Sequence, residues 1–197
     1  ATAALLAFAA FTAGCGRAPT PLAPHVEGSI GLPHSGVLRG GAELPRAGAG
    51  YAWLRQDDRH HGLPRFVTSI ERAARVVAEA RPGGVLAVGD LSARSGGTLL
   101  PHLSHRTGRD ADLLFYVTTL EGAPVASPGF VHVGPDGLAW DPDGKRFLRF
   151  DVERQWLLVK ALVEDPEARI QWVFISRDAE ALVVELARAR GEPAETI

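Results

Sequence analysis

The sequence predicts an α+β fold, in which a small and mostly antiparallel sheet has helices packed on one side. The 22 glycines and 14 prolines are many for a helical protein, and they separate short apolar runs. Helical periodicity is confined to three segments, whereas several apolar runs have the length of a strand. A chain of 197 residues with 46% apolar residues can bury one core, so we take residues 31–197 as one domain.

Apolar residues recur at helical spacing in three segments, residues 68–81, 151–163 and 178–189. Thr68 and Glu71 form a capping-box pattern, which predicts that the first helix begins at Thr68. Asp151 is the expected N-cap of the second helix. Gly191 is the expected end of the third helix.

Strands are predicted where apolar and β-branched residues form short runs. Residues 85–88 have the pattern of a buried strand, and residues 170–176 that of a central strand. The run from residue 112 to 118 predicts a third strand, with Asp112 at its start. Residues 118–150 are expected to form a hairpin or flap, with a turn at residues 141–146.

The N-terminal residues predict export from the cytoplasm. The first eleven residues are uniformly apolar, too few to span a bilayer, and Cys15 is the only cysteine. Thr12, Ala13 and Gly14 before it resemble a lipobox, although Thr12 replaces the usual leucine. We expect residues 1–15 to be part of a lipoprotein-type signal, with Cys15 lipidated, and residues 16–30 to be a flexible tether. The alternative is a stray thiol near a cleaved secretory signal.

Charge and composition exclude some partners. The chain has 21 basic and 23 acidic residues, a formal net charge of −2, so it has no basic surplus for binding nucleic acid. Membrane contact is expected only through the lipid anchor, which places the protein in the periplasm or cell envelope. No feature of the sequence predicts an oligomeric state.

The segment from residue 101 to 117 contains candidate metal ligands. His105 and Asp112 are seven residues apart, in a loop that runs into a strand, and Gly108 permits a sharp turn between them. Zn²⁺ prefers imidazole and carboxylate ligands, and a catalytic zinc site has three protein ligands and a water. On spacing alone, a loop of this kind is more often plain polar surface.

Other polar residues near these two are candidates for supporting roles. His102 and Ser104 are close enough to contact the ligands or the substrate. Asp110 and Asp90 offer oxygen atoms that could orient a ligand imidazole. His60 and His61 stand among charged residues and are therefore expected to be solvated surface. His132 alternates with apolar residues and is therefore expected to be a strand side chain.

The stretch GDLSARSGGTLLPHLSHRTGRDADLLFYV, residues 89–117, closely resembles the signature of the penicillin-insensitive murein endopeptidases. These enzymes are part of the wider group of lysostaphin, D-alanyl-D-alanine peptidase and hedgehog-like metallopeptidases. The resemblance extends more loosely to residues 31–55, 151–162 and 170–176. It implies that His105 and Asp112 are the first two zinc ligands and that His102 is the active-site histidine that precedes them.

The resemblance also implies a third ligand from a His-x-His pair on a late strand. The sequence has no His-x-His, and no histidine follows His132. We therefore expect the sequence to be truncated at both ends, leaving an incomplete zinc peptidase domain whose closing strand is missing. The alternative is a catalytically inactive relative.

The function implied by the resemblance is hydrolysis of peptidoglycan cross-links. A bound Zn²⁺ would activate water for cleavage of the amide bond from D-alanine to diaminopimelate. One alternative is a D,D- or L,D-carboxypeptidase of the same group, which trims stem peptides. The other is an inactive envelope lipoprotein that only binds peptidoglycan. With two ligands alone, zinc would be held weakly and activity would be low.

Overall fold

The structure is a computed structural model that describes residues 22–194 and residue 197. Residues 1–15, with the predicted lipidation site Cys15, lie outside the described residues. Three helices are described, α1 (Pro64–Ala80), α2 (Val152–Val163) and α3 (Arg177–Ala189). The described strands are β1 (Gly28–Leu32), β2 (Ser35–Arg39), β3 (Ala42–Glu43), β4 (Ala47–Gly48), β5 (Tyr51–Trp53), β6 (His61–Gly62), β7 (Leu86–Val88), β8 (Val117–Thr118), β9 (Pro124–Val125), β10 (Leu138–Asp141) and β11 (Arg146–Phe150).

The strands form four small sheets, and this arrangement confirms the α+β fold. β1 and β2 form an antiparallel hairpin, and β3 pairs with β6 antiparallel. β4, β5 and β7 form a three-stranded sheet in which β5 and β7 run parallel. The fourth sheet has the order β10-β11-β8-β9, with antiparallel pairs throughout. The sheet structure is therefore mostly antiparallel, but it is divided into small pieces joined by shaped loops.

The main core lies between α1 and the sheet that contains β5 and β7. Ile70 and Val77 of α1 are fully buried, as are Leu86 and Val88 of β7. α2 packs between α1 and α3. A second apolar cluster fills the space under α2 and α3, around Trp156. Because β7 is buried at the centre of the main core, the residues that follow it are held on a rigid support.

Local signals at the helix ends were predictive at two helices and misleading at one. Asp151 caps α2, and its side chain accepts a hydrogen bond from the backbone N–H of Arg154. α3 ends as expected, with Gly191 in a left-handed conformation after it. The start of α1 was predicted wrongly. The helix begins at Pro64, a favoured first residue, and the Thr68 hydroxyl donates to the Pro64 carbonyl inside the first turns.

The strand predictions have mixed outcomes. β7 confirms the strand expected at residues 85–88, and β10 and β11 confirm the hairpin with its turn at residues 141–146. The strand predicted at residues 170–176 is wrong, because the structure has no strand there. Trp172 is 76% exposed and Phe174 is 92% exposed. A strand forms only when its backbone pairs with a neighbour, and no described residue supplies one.

Candidate metal centre

Backbone hydrogen bonds fix the end of the motif segment against the residues that leave β7. The N–H of Gly89 donates to the carbonyl of Asp112 at 2.8 Å, and the N–H of Asp112 donates to the carbonyl of Asp90 at 2.9 Å. An isolated antiparallel bridge joins Val88 to Leu113. Asp112 therefore lies at the start of a short extended stretch, although regular strand structure is limited to β8. This pairing places the Asp112 carboxylate beside the exit from β7.

His105 is held by its backbone and by one ring nitrogen. It has a left-handed backbone with φ of 61°, and its N–H donates to Oδ2 of Asp110 at 2.9 Å. Its Nδ1 lies 2.6 Å from the carbonyl oxygen of Leu91. Because a carbonyl only accepts, Nδ1 carries a hydrogen, and Nε2 has a free lone pair when the ring is neutral. Nε2 lies 3.3 Å from Oδ1 of Asp112.

Gly108 makes the turn between these two residues, as its position in the sequence predicted. Its φ is +67°, a backbone conformation that residues with a side chain rarely adopt. A Cβ atom at this position would lie 2.8 Å from Cδ2 of Leu38 and 2.9 Å from Cα of Gly62. The turn therefore needs glycine for its backbone conformation and for the close approach of its neighbours.

His102 completes a group of three potential metal ligands. One ligand atom from each of His102, His105 and Asp112 lies within 4.8 Å of the other two. The two imidazole rings are 4.6 Å apart between centroids and are tilted by 53°. Nε2 of His102 lies 2.7 Å from Oδ2 of Asp90, which leaves Nδ1 for a metal ion or a proton. The structure thus makes His102 a candidate third ligand, in addition to the active-site role that the sequence predicted.

Asp90 is a buried carboxylate that binds three side-chain donors. It is 1% exposed and accepts hydrogen bonds from Arg55 and Arg59 as well as from His102. Burial acts to raise the pKa of Asp90, but the hydrogen bonds from Arg55, His102 and Arg59 outweigh it and hold the pKa below its ordinary value. Asp90 is therefore ionised at neutral pH, and the His102 nitrogen that faces it carries the hydrogen.

The environment of His105 contains two opposed influences. Burial acts to lower the pKa of His105, whereas the hydrogen bond and negative charge of Asp112 act to raise it. Burial is the largest single influence, but Asp112, the Leu91 carbonyl and the charge of Asp110 together outweigh it, so the pKa of His105 lies above its ordinary value. The same carboxylate and imidazole nitrogen are the donor types that Zn²⁺ prefers. The donor set and the hydrogen bond on Nδ1 therefore fit a metal ion.

The remaining predicted site residues have different surroundings. Asp110 and Asp90 each hydrogen-bond a residue of the triad, Asp110 through the backbone of His105 and Asp90 through the ring of His102. Ser104 is partly buried in the same loop. Asp90 and Asp110 are thus placed to orient the histidines, and Ser104 is placed only near them.

The expectation that His60 and His61 are solvated surface is wrong. Both are buried, and His60 is only 1% exposed. The His60 ring stacks on Trp53 with centroids 3.7 Å apart, and its Nδ1 lies 3.3 Å from Oδ1 of Asp57 without hydrogen-bond geometry. Burial lowers the pKa of His60. His132 is exposed and lies outside the described strands, contrary to the strand position expected for it.

Two arginines near the triad were missed by reasoning from the sequence. Arg55 and Arg59 both contact Asp90, which lies more than 30 residues further along the chain. The available signal was weak, since Arg55 ends a short segment, residues 50–55, that resembles the family only loosely. A lone arginine in a loop does not indicate which carboxylate it will bind.

Comparison with known families identifies the family to which the chain belongs. The family model of penicillin-insensitive murein endopeptidase matches residues 29–126, about half of the chain. Through these residues, the chain belongs to that family. The match includes His102, His105 and Asp112. A search among curated proteins finds no match.

Family membership has general consequences for activity and location. It places the protein among the peptidases that act on murein, and it suggests a periplasmic or envelope protein. Within residues 22–194, no helix has the length and apolar character needed to cross a membrane.

Proposed function

We propose that the protein is a zinc-dependent murein endopeptidase that cleaves the D-alanyl–diaminopimelate cross-link of peptidoglycan with metal-activated water. The observation that carries the proposal is the geometry at His105. Its Nδ1 is held by the Leu91 carbonyl, and its Nε2 lies 3.3 Å from Oδ1 of Asp112, with His102 beside both. Three nitrogen and oxygen donors in this arrangement match the ligand set of a catalytic zinc site.

His105 and Asp112 are the proposed first two ligands. When bound there, Zn²⁺ supplies an acidic water molecule and polarises the scissile carbonyl. His102 is either the third ligand or the histidine that carries a proton at Nδ1, because its Nε2 is tied to Asp90. The side chains of His102 and Asp112 are 23% and 24% exposed, so both can be reached from solvent.

The placement of the protein in the envelope follows the same proposal. We propose that Cys15 carries a lipid anchor, that residues 16–30 tether the domain, and that residues 31–197 belong to the peptidase domain. Among the described residues, the first strand, β1, starts at Gly28, close to that boundary. A tethered domain of this kind would reach peptide cross-links near the membrane surface.

The activity test uses purified protein with added Zn²⁺ and muropeptide dimers joined through D-alanine and diaminopimelate. Chromatography with mass spectrometry should show release of monomers, and a chelator should stop it. The variants His105→Ala and Asp112→Ala should lose cleavage and bind Zn²⁺ at least about 10-fold more weakly. His132→Ala is the matched control, because it removes an exposed histidine outside the triad.

Three outcomes would contradict the proposal in different ways. Cleavage that survives His105→Ala would refute the ligand assignment. Removal of terminal D-alanine from monomers, with dimers left intact, would favour a carboxypeptidase. Binding to purified sacculi without zinc uptake or cleavage would favour an inactive peptidoglycan-binding lipoprotein. Metal analysis of the purified protein tests whether Zn²⁺ is the ion that the triad selects.

A further inference from the structure

Arg59 joins the two parts of the chain that support His102. Its Nη1 lies 3.2 Å from Oδ2 of Asp90, the oxygen atom that also accepts from Nε2 of His102. The same nitrogen lies 3.1 Å from the carbonyl oxygen of Leu100, two residues before His102. Arg59 therefore contacts both the carboxylate that holds the imidazole ring and the backbone that carries it.

The backbone of Arg59 is itself fixed to the exit from β7. Its carbonyl accepts a hydrogen bond from the N–H of Leu91 at 2.7 Å. The carbonyl of Leu91 in turn accepts from Nδ1 of His105. Arg59 thus links the Leu91 carbonyl, which holds the ring of His105, to the Asp90 carboxylate, which holds the ring of His102.

The loop that carries His102 has few other restraints. Leu100 and Leu103 are both strongly exposed. One backbone hydrogen bond, from the N–H of His102 to the carbonyl of Leu99, closes the turn within the loop. Without an anchor from outside the loop, the imidazole would sample several positions relative to His105 and Asp112, and metal ligation would become weaker.

Arg55 offers a close comparison within the same network. Its Nη2 donates to Oδ1 of Asp90 at 2.6 Å, so it carries the same charge to the same carboxylate. Among the described residues, Arg55 makes no hydrogen bond to Leu100. A difference between variants of Arg55 and Arg59 would therefore report the loop contact and not the charge beside Asp90.

We propose that Arg59 is a positioning residue that sets the place of His102 in the metal triad, acting through Asp90 and the Leu100 carbonyl. This inference rests on the proposed function, because it takes the triad as a metal site. Lysine at position 59 would keep the charge but lose the planar guanidinium, whose Nη1 directs its two hydrogens at Asp90 and the Leu100 carbonyl in fixed directions.

The first test measures Zn²⁺ binding by calorimetry. Arg59→Lys should weaken binding about 10-fold, the lower end of the range seen when residues that orient metal ligands are changed. Arg55→Lys should cause a smaller loss, and Arg65→Lys, a change on the exposed side of α1, should cause none. In a His102→Ala background, Arg59→Lys should have no additional effect, since Arg59 acts through His102. Equal losses in Arg55→Lys and Arg59→Lys, or additive losses in the double variant, would overturn the proposal.

The second test needs no metal and separates this proposal from the proposed function. The ring N–H of His102, held by Asp90, should give a slowly exchanging signal in nitrogen-15 spectra of the metal-free protein, assigned with His102→Gln. Arg59→Lys should broaden or remove the signal, whereas Arg55→Lys should retain it. An intact signal in Arg59→Lys, or no such signal in the wild type, would overturn the positioning role. Failure of the wild type to bind Zn²⁺ would instead refute the proposed function.

Arg59→Gln is the second variant if Arg59→Lys does not fold. The amide can donate to Asp90 or to Leu100 but cannot supply the guanidinium charge. The circular dichroism spectrum and unfolding temperature of the metal-free variant should match those of Arg55→Gln. A loss of the His102 signal in both glutamine variants would overturn the proposal, because it would assign the effect to charge.

Discussion

Replacing Asp90 with asparagine should destabilise the metal-free protein by about 2–3 kcal/mol. A buried hydrogen bond to a charged group contributes about 1.5–3 kcal/mol, and three of them end on this carboxylate. The arginine side chains that provide two of them are 46% and 32% exposed, so each of these contributes about 1 kcal/mol or less. Asparagine also keeps one acceptor oxygen, which limits the loss further.

The measurement is thermal and urea unfolding at neutral pH in the presence of a chelator. For a domain of this size, about 2–3 kcal/mol corresponds to a decrease of roughly 5–10 °C in Tm. Asp58→Asn is the matched control, because Asp58 is exposed in the neighbouring loop and should leave Tm within about 1–2 °C of the wild type. Equal unfolding free energies for Asp90→Asn and the wild type would refute the view that this carboxylate holds the site together.

Three further predictions test other parts of the structure. Asp110→Ala should weaken Zn²⁺ binding about 10-fold in calorimetry, since the His105 N–H loses its acceptor, whereas Asp110→Asn should retain most of the affinity. Gly108→Ala should lower the free energy of unfolding by about 2–4 kcal/mol in urea, because a left-handed backbone is combined with contact on Leu38. Burial acts to raise the pKa of Asp165. Hydrogen bonds from nearby backbone N–H groups and from Arg72 on α1 outweigh burial and hold the pKa of Asp165 below its ordinary value. Ionised Asp165 therefore stabilises the folded protein at neutral pH, and this stabilisation is lost as the pH falls below about 4. The unfolding free energy of Asp165→Asn should consequently change less with acid pH than that of the wild type.

Short-range signals predicted the parts of the fold that depend on neighbouring residues. Asp151 lies directly before an apolar helical pattern, and it caps α2 through a hydrogen bond to a backbone N–H three residues later. At α1, two local signals competed. The Pro64 start prevailed over the capping box at Thr68, because a helix that begins earlier buries Phe66 and Val67 in the core.

Properties that depend on distant residues were harder to predict. The charged neighbours of His60 indicate surface, but stacking on Trp53 and the pairing of β3 with β6 bury the segment. The apolar run at residues 170–176 has strong strand propensity, yet propensity cannot supply a partner strand. At the candidate site, the motif indicated His102, His105 and Asp112, whereas the contact of Arg59 with Asp90 required the folded chain.

The exposed stretch at residues 170–176 has a consequence for the behaviour of the protein in solution. An exposed apolar segment without a strand partner among the described residues is a template for pairing with a similar segment of another molecule. Self-association at high concentration is expected to begin there, as aggregation by edge-to-edge strand addition. Phe174→Lys is expected to raise the solubility limit, since a charged side chain opposes that pairing and position 174 is not one of the residues of the metal site.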